Sequence, residues 1–138
     1  MARKEDFLLH LAKVPLFSLC GKGELRQVAR RSTKLILEQG KVFVEEGTTG
    51  REFFVILEGS AEITRKGKPV AELGPGDYVG ELSLLDPAPR DATVTALTPM
   101  TVMVLTPKEF EAVLNEAPGM TRKLLAGMAY RLRDLDTT

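Results

Sequence analysis

Cysteine and histidine each occur once in this sequence, as Cys20 and His10, and the charges cancel, 19 Lys and Arg against 19 Asp and Glu. One thiol closes no internal disulfide, so the chain reads as cytoplasmic, from a reducing compartment, and not as a secreted disulfide scaffold. The ordinary role for such a Cys20 is a small apolar residue near a helix, and a lone histidine in a short apolar stretch is ordinarily structural. A single histidine also excludes multi-histidine zinc centres, the multi-histidine metal sites of cupin enzymes and histidine-clustered phosphodiesterases. With a formal charge of zero, no overall field draws the molecule onto nucleic acid or anionic lipid, so any bound anion must be captured locally. The apolar run 7–12 is broken by His10 and preceded by Glu5 and Asp6, too short and polar for a signal peptide or membrane span.

What is present suffices for one packed core. The 138 residues match a single domain, and 43% hydrophobic with 28% charged residues argues against disorder. Three zones appear. In 1–31, Phe7, Leu8 and Leu11 and then Leu25, Val28 and Ala29 recur at helical spacing around a Val14-Pro15-Leu16-Phe17 break, predicting two short helices. In 33–106, runs rich in Val, Ile, Phe and Thr are punctuated by glycines, predicting strands at 35–37, 42–44, 53–57, 61–65, 70–73, 92–97 and 100–105. In 107–138 helical spacing returns, with one helix opening at Pro107 and ending near Asn115. A second opens at Pro118 and carries Met120, Leu124, Met128, Leu132 and Leu135 on one face. The expected fold class is α+β, mainly β: an antiparallel β-roll or jelly-roll barrel flanked by N-terminal helices and two C-terminal helices. No helix-turn-helix unit, zinc finger or basic arm follows that last helix, so direct nucleic-acid recognition would need another polypeptide.

One segment carries chemistry. Gly74-Pro75-Gly76 has Val79 where a dinucleotide loop needs glycine, and Gly21-Lys22, Gly40-Lys41 and Gly67-Lys68 lack the Ser or Thr of a P-loop. Between two strand patterns, however, lie Gly80-Glu81-Leu82-Ser83-Leu84-Leu85, a spacer with Pro87 and Pro89, and Arg90-Asp91-Ala92-Thr93-Val94. A glycine leaving a strand lets backbone approach a ligand, and a helical turn over 81–85 would point free N–H groups outward at its start. Ionised Glu81 accepts hydrogen bonds, as from a ribose hydroxyl, and Arg90 offers a fork of donors for a phosphate. Two readings follow from the residue types alone: a sugar-phosphate clamp, or a surface loop in which Glu81 and Arg90 pair with each other or with solvent.

These residues resemble the phosphate-binding cassette of the cyclic nucleotide-binding domain family, shared by cAMP-dependent protein kinase regulatory subunits, cyclic nucleotide-gated channels and bacterial catabolite activators. The cassette reads roughly F-G-E-[LIV]-[AS]-L-[LIMV], a spacer, then R-[STA]-A-x-[VIM], matched here by Gly80 to Leu85 and by Arg90, Ala92 and Val94. Val14-Pro15-Leu16-Phe17, the stretch from Glu46-Gly47 to Gly59, Gly76 to Glu81 and Met128 to Leu132 are similar to further family segments, so the resemblance spans nearly the whole chain. It implies that Gly80, Glu81, Leu82 and Ser83 surround the ribose phosphate through backbone N–H groups or close contact. It further implies that Glu81 takes the 2′-OH, that Arg90 pairs with the cyclic phosphate, and that the backbone at Asp91 and Ala92 completes the ring. Aligning the strands by their glycines suggests Ile63, Leu73 and Val79 as the apolar wall under the purine, and the resemblance places a lid near Leu132, Leu135 and Asp136. Asp91 departs from the pattern, standing where relatives carry a small residue or a hydroxyl. A carboxylate ~5 Å from a phosphate, at an effective dielectric of ~20, costs about 3 kcal/mol, which equals the upper end of the contribution of a charged hydrogen bond from Arg90. Asp91 is therefore expected to face solvent with only its N–H engaged, or to pair with a cation.

The resemblance implies a non-enzymatic cytoplasmic sensor that binds cAMP, with cGMP next, needs no cofactor or metal, and shifts its terminal helices when the ligand arrives. The rival reading is an interaction module on the same fold, lacking a nucleotide and pairing with a second subunit or an effector domain through the apolar face of the C-terminal helix. Catalysis on a phosphodiester needs a metal cluster or an activated nucleophile beside a base, and one distant His10 supplies neither.

Overall fold

A computed structural model describes residues 4–136; 1–3 and 137–138, the ends of the single-domain span expected from the sequence, lie outside the described residues. The first helix, α1 (Lys4–Lys13), buries Phe7 and Leu11, one turn apart. A 3-10 turn, Pro15–Phe17, follows and buries Leu16 and Phe17, after which α2 (Lys22–Arg31) buries Leu25, Val28 and Ala29. Its N-terminus is closed by Glu24, whose Oε1 accepts from Gly21 N–H at 2.8 Å. The helix ends at Ser32, whose hydroxyl donates to the Val28 carbonyl at 2.8 Å.

Ten strands then form the roll: β1 (Thr33–Leu37), β2 (Val42–Val44), β3 (Thr49–Gly50), β4 (Phe53–Glu58), β5 (Ala61–Arg65), β6 (Lys68–Leu73), β7 (Tyr78–Val79), β8 (Ala88–Pro89), β9 (Thr93–Ala96) and β10 (Met100–Leu105). They pair antiparallel in two four-stranded sheets, ordered β1-β10-β4-β7 and β2-β9-β5-β6, with β3 and β8 as a separate two-stranded pair. Two more helices, α3 (Pro107–Glu116) and α4 (Met120–Asp136), close the fold as an antiparallel jelly-roll-like β-structure flanked by helices at both ends. Pro107 fits the first turn of α3, where a missing N–H is harmless, and the Thr106 hydroxyl accepts from Glu109 N at 3.3 Å.

Strand periodicity separates two cores. β4 is buried along its whole apolar run because it is covered on both faces. Phe53, Val55 and Leu57 pack with the helices, alongside Phe17, Leu105, Phe110, Val113, Met120 and Leu124. The alternate residues Phe54 and Ile56 face the roll's interior with Val94, Met100, Val102 and Val104. Phe17 ties the helices to the sheet, its ring centroid 5.9 Å from that of Phe53 and 6.3 Å from that of Phe110. Each such side chain contributes about 1.5 to 3 kcal/mol on burial.

The differences from the sequence reading are local. The strand expected over 92–97 is Thr93–Ala96, and the helix expected from Pro118 begins at Met120. The two-residue strands β3, β7 and β8 carry too few residues to show a period and were not expected. The apolar face of α4 is covered only in part. Met120 and Leu124 are buried and Met128 is half-buried, but Leu132 and Leu135 are 60% and 64% exposed. The helix docks on the Pro15–Phe17 turn, where a Cβ at Gly127 would lie 3.2 Å from the Pro15 carbonyl, and its last turns leave their apolar side chains exposed.

Candidate functional site

Residues between Tyr78 and Val94, with Val44 of β2 and Ile63 and Arg65 of β5, enclose a cleft of about 330 Å³. Gly80 ends β7 with φ 85°, a left-handed conformation that a side chain would strain, and so starts the 3-10 turn Glu81–Leu84. The turn's Leu84 is buried in the helix-side core, while Ser83 N–H donates to the Gly80 carbonyl at 3.0 Å. The amides at the head of the turn, those of Glu81 and Leu82, precede that bond. Ala88–Pro89 then pairs with Thr49–Gly50, and the bonds from Arg90 N to Thr48 O and from Gly47 N to Arg90 O, both 2.8 Å, lock the chain beside them. Pro89 is tolerated because a two-residue edge pair needs few ladder donors.

Arg90 is thereby laid flat across two glycines. A Cβ at Gly50 would fall 1.9 Å from its Nε, and a Cβ at Gly80 would fall 2.5 Å from its Nη1. Its side chain is only 9% exposed. Nη1 donates to Ser83 Oγ at 3.2 Å and Nη2 to the Glu52 carbonyl at 2.8 Å, with the Glu52 carboxylate 3.8 Å away. Burial pulls the guanidinium below its ordinary pKa, and Glu52 opposes that shift. Two of the five donors are thus used by neighbours, which leaves a partly desolvated cation on the wall of the cleft.

The sequence-predicted residues separate into groups. Gly80, Leu82, Ser83, Arg90, Asp91 and Ala92 line the cleft, as do Ile63 and Val79 of the expected apolar wall. Leu73 does not: paired with Ala61 at the edge of its sheet, it packs against the roll's interior core, as Ile63 and Val79 also do, but lies off the cleft wall. Glu81 heads the turn half-buried, between the lining residues Gly80 and Leu82 but not itself on the cleft surface. It makes no ion pair with Arg90, whose carboxylate neighbour is Glu52. The expected lid is not assembled there. Leu135 borders a different groove, with Lys13, Pro15, Ser18 and Tyr130, Leu132 is exposed, and the Asp136 side chain lies outside the described residues. Asp91 faces solvent, but its carboxylate is engaged by a cation, so the arrangement with only its N–H engaged is not the one found. Its carboxylate is 87% exposed and lies 3.5 Å from Arg65 Nη2.

Sequence reasoning missed Gly50, Glu52 and Arg65. The first two sit 40 and 38 positions before Arg90, and no periodicity connects such distant segments. For Arg65 a signal existed: it stands two positions after Ile63, hence on the same face of β5.

Among the described residues no group of three or more His, Cys, Asp or Glu is placed to hold a metal ion, and no helix is long and apolar enough to cross a membrane. The profile of the family described as cyclic nucleotide-binding domain matches residues 34–117. The chain is 40% identical over 107 residues to a cAMP-dependent protein kinase regulatory subunit of Yarrowia lipolytica, covering 76% of this chain and 28% of that protein. It is 33% identical over 119 residues to a cyclic nucleotide-gated potassium channel of Rhizobium etli, covering 84% of this chain and 33% of that one. It therefore spans about a third or less of the length of these relatives. Among solved structures, the N-terminal domain of a transcriptional regulator from Streptomyces coelicolor superposes with a TM-score of 0.86 at 31% identity, covering 94% of this chain and 96% of that one. The catabolite activator protein of Thermus thermophilus superposes with a TM-score of 0.69 at 28% identity, covering 88% and 60%.

Proposed function

The chain belongs to the cyclic nucleotide-binding domain family, and from that premise we propose that its cleft binds a cyclic nucleotide, cAMP before cGMP, as a cytoplasmic regulatory sensor without catalytic activity of its own. The observation that carries this reading is the buried Arg90 guanidinium, which faces a 330 Å³ cleft with donors to spare. A partly desolvated cation held in a fixed fork favours a compact anion, and a charge-assisted bond to it contributes about 1.5 to 3 kcal/mol. The cyclic phosphate would lie between Arg90 and the amides of Glu81 and Leu82. The carboxylate of Glu81 would turn inward to the ribose 2′-OH, and the purine would rest on Val44, Ile63, Val79 and Val94. A micromolar site needs about −8 kcal/mol, within reach of one arginine, several amides and a buried purine face.

Two contacts support a coupling of ligand to helices. Leu84, in the turn the phosphate would draw inward, belongs to the same core as Phe17, Val113 and Met120. Tyr78 lines the cleft and packs edge-on against Phe53, with ring centroids 6.3 Å apart. A ligand that prefers one position of the turn then shifts the helix arrangement by its differential affinity. The second reading, an interaction module acting through α4, draws on the exposed Leu125, Tyr130, Leu132 and Leu135. Calorimetric titration with cAMP and cGMP separates the two: measurable affinity supports the sensor, and binding of neither at millimolar concentration rejects it. Arg90→Ala is expected to weaken cAMP binding at least about tenfold, the equivalent of one charged hydrogen bond. An unchanged affinity would show that the phosphate lies elsewhere.

A further inference from the structure

Four charged side chains stand around the cleft: Arg65, Asp86, Arg90 and Asp91. Among these lining residues two cations stand against two acids, and the Glu52 carboxylate, 3.8 Å from Arg90 Nη2, adds a third negative charge nearby. Without Arg65, one buried arginine would face two carboxylates, and an arriving phosphate would meet net negative charge. Asp91 is the more intrusive acid, because it follows Arg90 directly in the chain.

Arg65 is placed to answer it. It ends β5 and shares a face with the cleft residue Ile63. β5 runs antiparallel to β9 with Ile63 opposite Val94 and Thr64 opposite Thr93, so Arg65 comes level with the chain leaving Asp91. The turn beyond it is fixed from two directions. Lys66 and Gly67 both have positive φ, 51° and 78°, as a tight two-residue hairpin requires, and Lys66 N–H donates to Glu46 Oε1 at 3.0 Å. From that base the guanidinium reaches Asp91 Oδ2 at 3.5 Å.

We infer that Arg65 is a positioning residue of the nucleotide site: it holds the Asp91 carboxylate at the cleft mouth and offsets its charge toward a bound phosphate, without touching the ligand itself. The inference rests on the cyclic nucleotide reading above. Paired, the two charges present the ligand with a dipole whose field decays faster than that of a lone carboxylate. Both side chains are exposed, at 54% and 87%, so the benefit is modest and falls with salt.

The test is a double-substitution cycle on the full chain, with cAMP titrated calorimetrically at low and high salt. Arg65→Gln is expected to weaken binding about three- to fivefold at low salt, the size of an exposed pair, and by less at high salt. Arg65→Lys keeps most of the affinity. In an Asp91→Asn background, Arg65→Gln changes affinity by less than about twofold, because no carboxylate remains to restrain. An equal loss in both backgrounds would overturn the inference by showing that Arg65 touches the ligand, and no loss in either would overturn it by showing an idle surface pair. An unmodified chain that binds neither cAMP nor cGMP would overturn the underlying reading, and this inference with it. A binding-competent chain that fails the cycle leaves the nucleotide site standing. Thermal melts of every variant, expected to coincide, keep affinity changes apart from folding changes.

Discussion

A single methyl group at Gly50 should disable the site while leaving the fold standing. Gly50 is buried in the two-residue pair with Ala88, and its backbone lies outside the positive-φ region, so alanine meets no backbone strain there. The new Cβ would lie 1.9 Å from Arg90 Nε, 2.2 Å from Cζ and 2.4 Å from Cδ, where ordinary contact starts at 3.4 Å. The arginine must therefore shift by about 1.5 Å at its middle, and the guanidinium leaves both Ser83 Oγ and the Glu52 carbonyl. A displacement of that size removes the aimed contact with a phosphate, about 1.5 to 3 kcal/mol, so cAMP affinity should fall roughly 10- to 100-fold. The two protein hydrogen bonds are charge-assisted and contribute about 1.5 kcal/mol each at the low end of the range for a charged donor, and alanine returns about 0.4 to 1 kcal/mol by restricting the unfolded chain. The melting temperature should thus fall by roughly 5 to 10 °C. Calorimetric titration beside a thermal melt reads both quantities. Wild-type affinity in Gly50→Ala would refute the placement of Arg90 as the anion ligand, and a collapse of stability with no folded protein left to titrate would refute the claim that the added methyl disturbs Arg90 alone.

Two further outcomes follow from titratable groups in the helices. Glu24 is held below its ordinary 4.5 by a hydrogen bond from Lys123 Nζ at 2.9 Å and another from the Gly21 amide. Its contribution to stability is therefore present above about pH 4.5 and lost as the pH falls through its folded value, so Glu24→Gln should flatten the acid limb of Tm against pH. Parallel acid limbs would refute this. The Cys20 thiol is pushed up from 9.0 to about 11, first by burial and then by Glu24, so alkylation of the native chain near pH 8 should run roughly a hundredfold slower than that of the unfolded chain. Equal rates would show that the thiol is free to ionise.

The fold was largely legible because its elements have clear periods. Phe53 to Leu57, an unbroken apolar run, read as a strand, and it is one because both of its faces are covered. The spacing of Leu25, Val28 and Ala29 marked a helix face that the structure buries. Two-residue strands such as Tyr78–Val79 show no period and stayed invisible. On α4 the periodicity runs on through Leu132 and Leu135, but burial stops near Met128, because a repeat describes a face and not what covers it. Residue type also did not separate Leu73, which lies off the cleft, from Ile63 and Val79, which line it, because both an interior core and a cleft wall ask for an apolar side chain.

By itself the sequence determined which chemistry was available: glycine, glutamate, serine and arginine on one short insertion, no histidine cluster and no surplus charge. It also determined that an anion would have to be met by a local arrangement. Only the tertiary structure decided how Arg90 is held, because its supports at Gly50, Glu52 and Ser83 come from segments joined through strand pairing. The same is true of the Arg65 partner of Asp91, 26 positions earlier in the chain. Burial and electrostatic pairing depend on distance in space, and distance along the chain fixes them only within a turn or a strand.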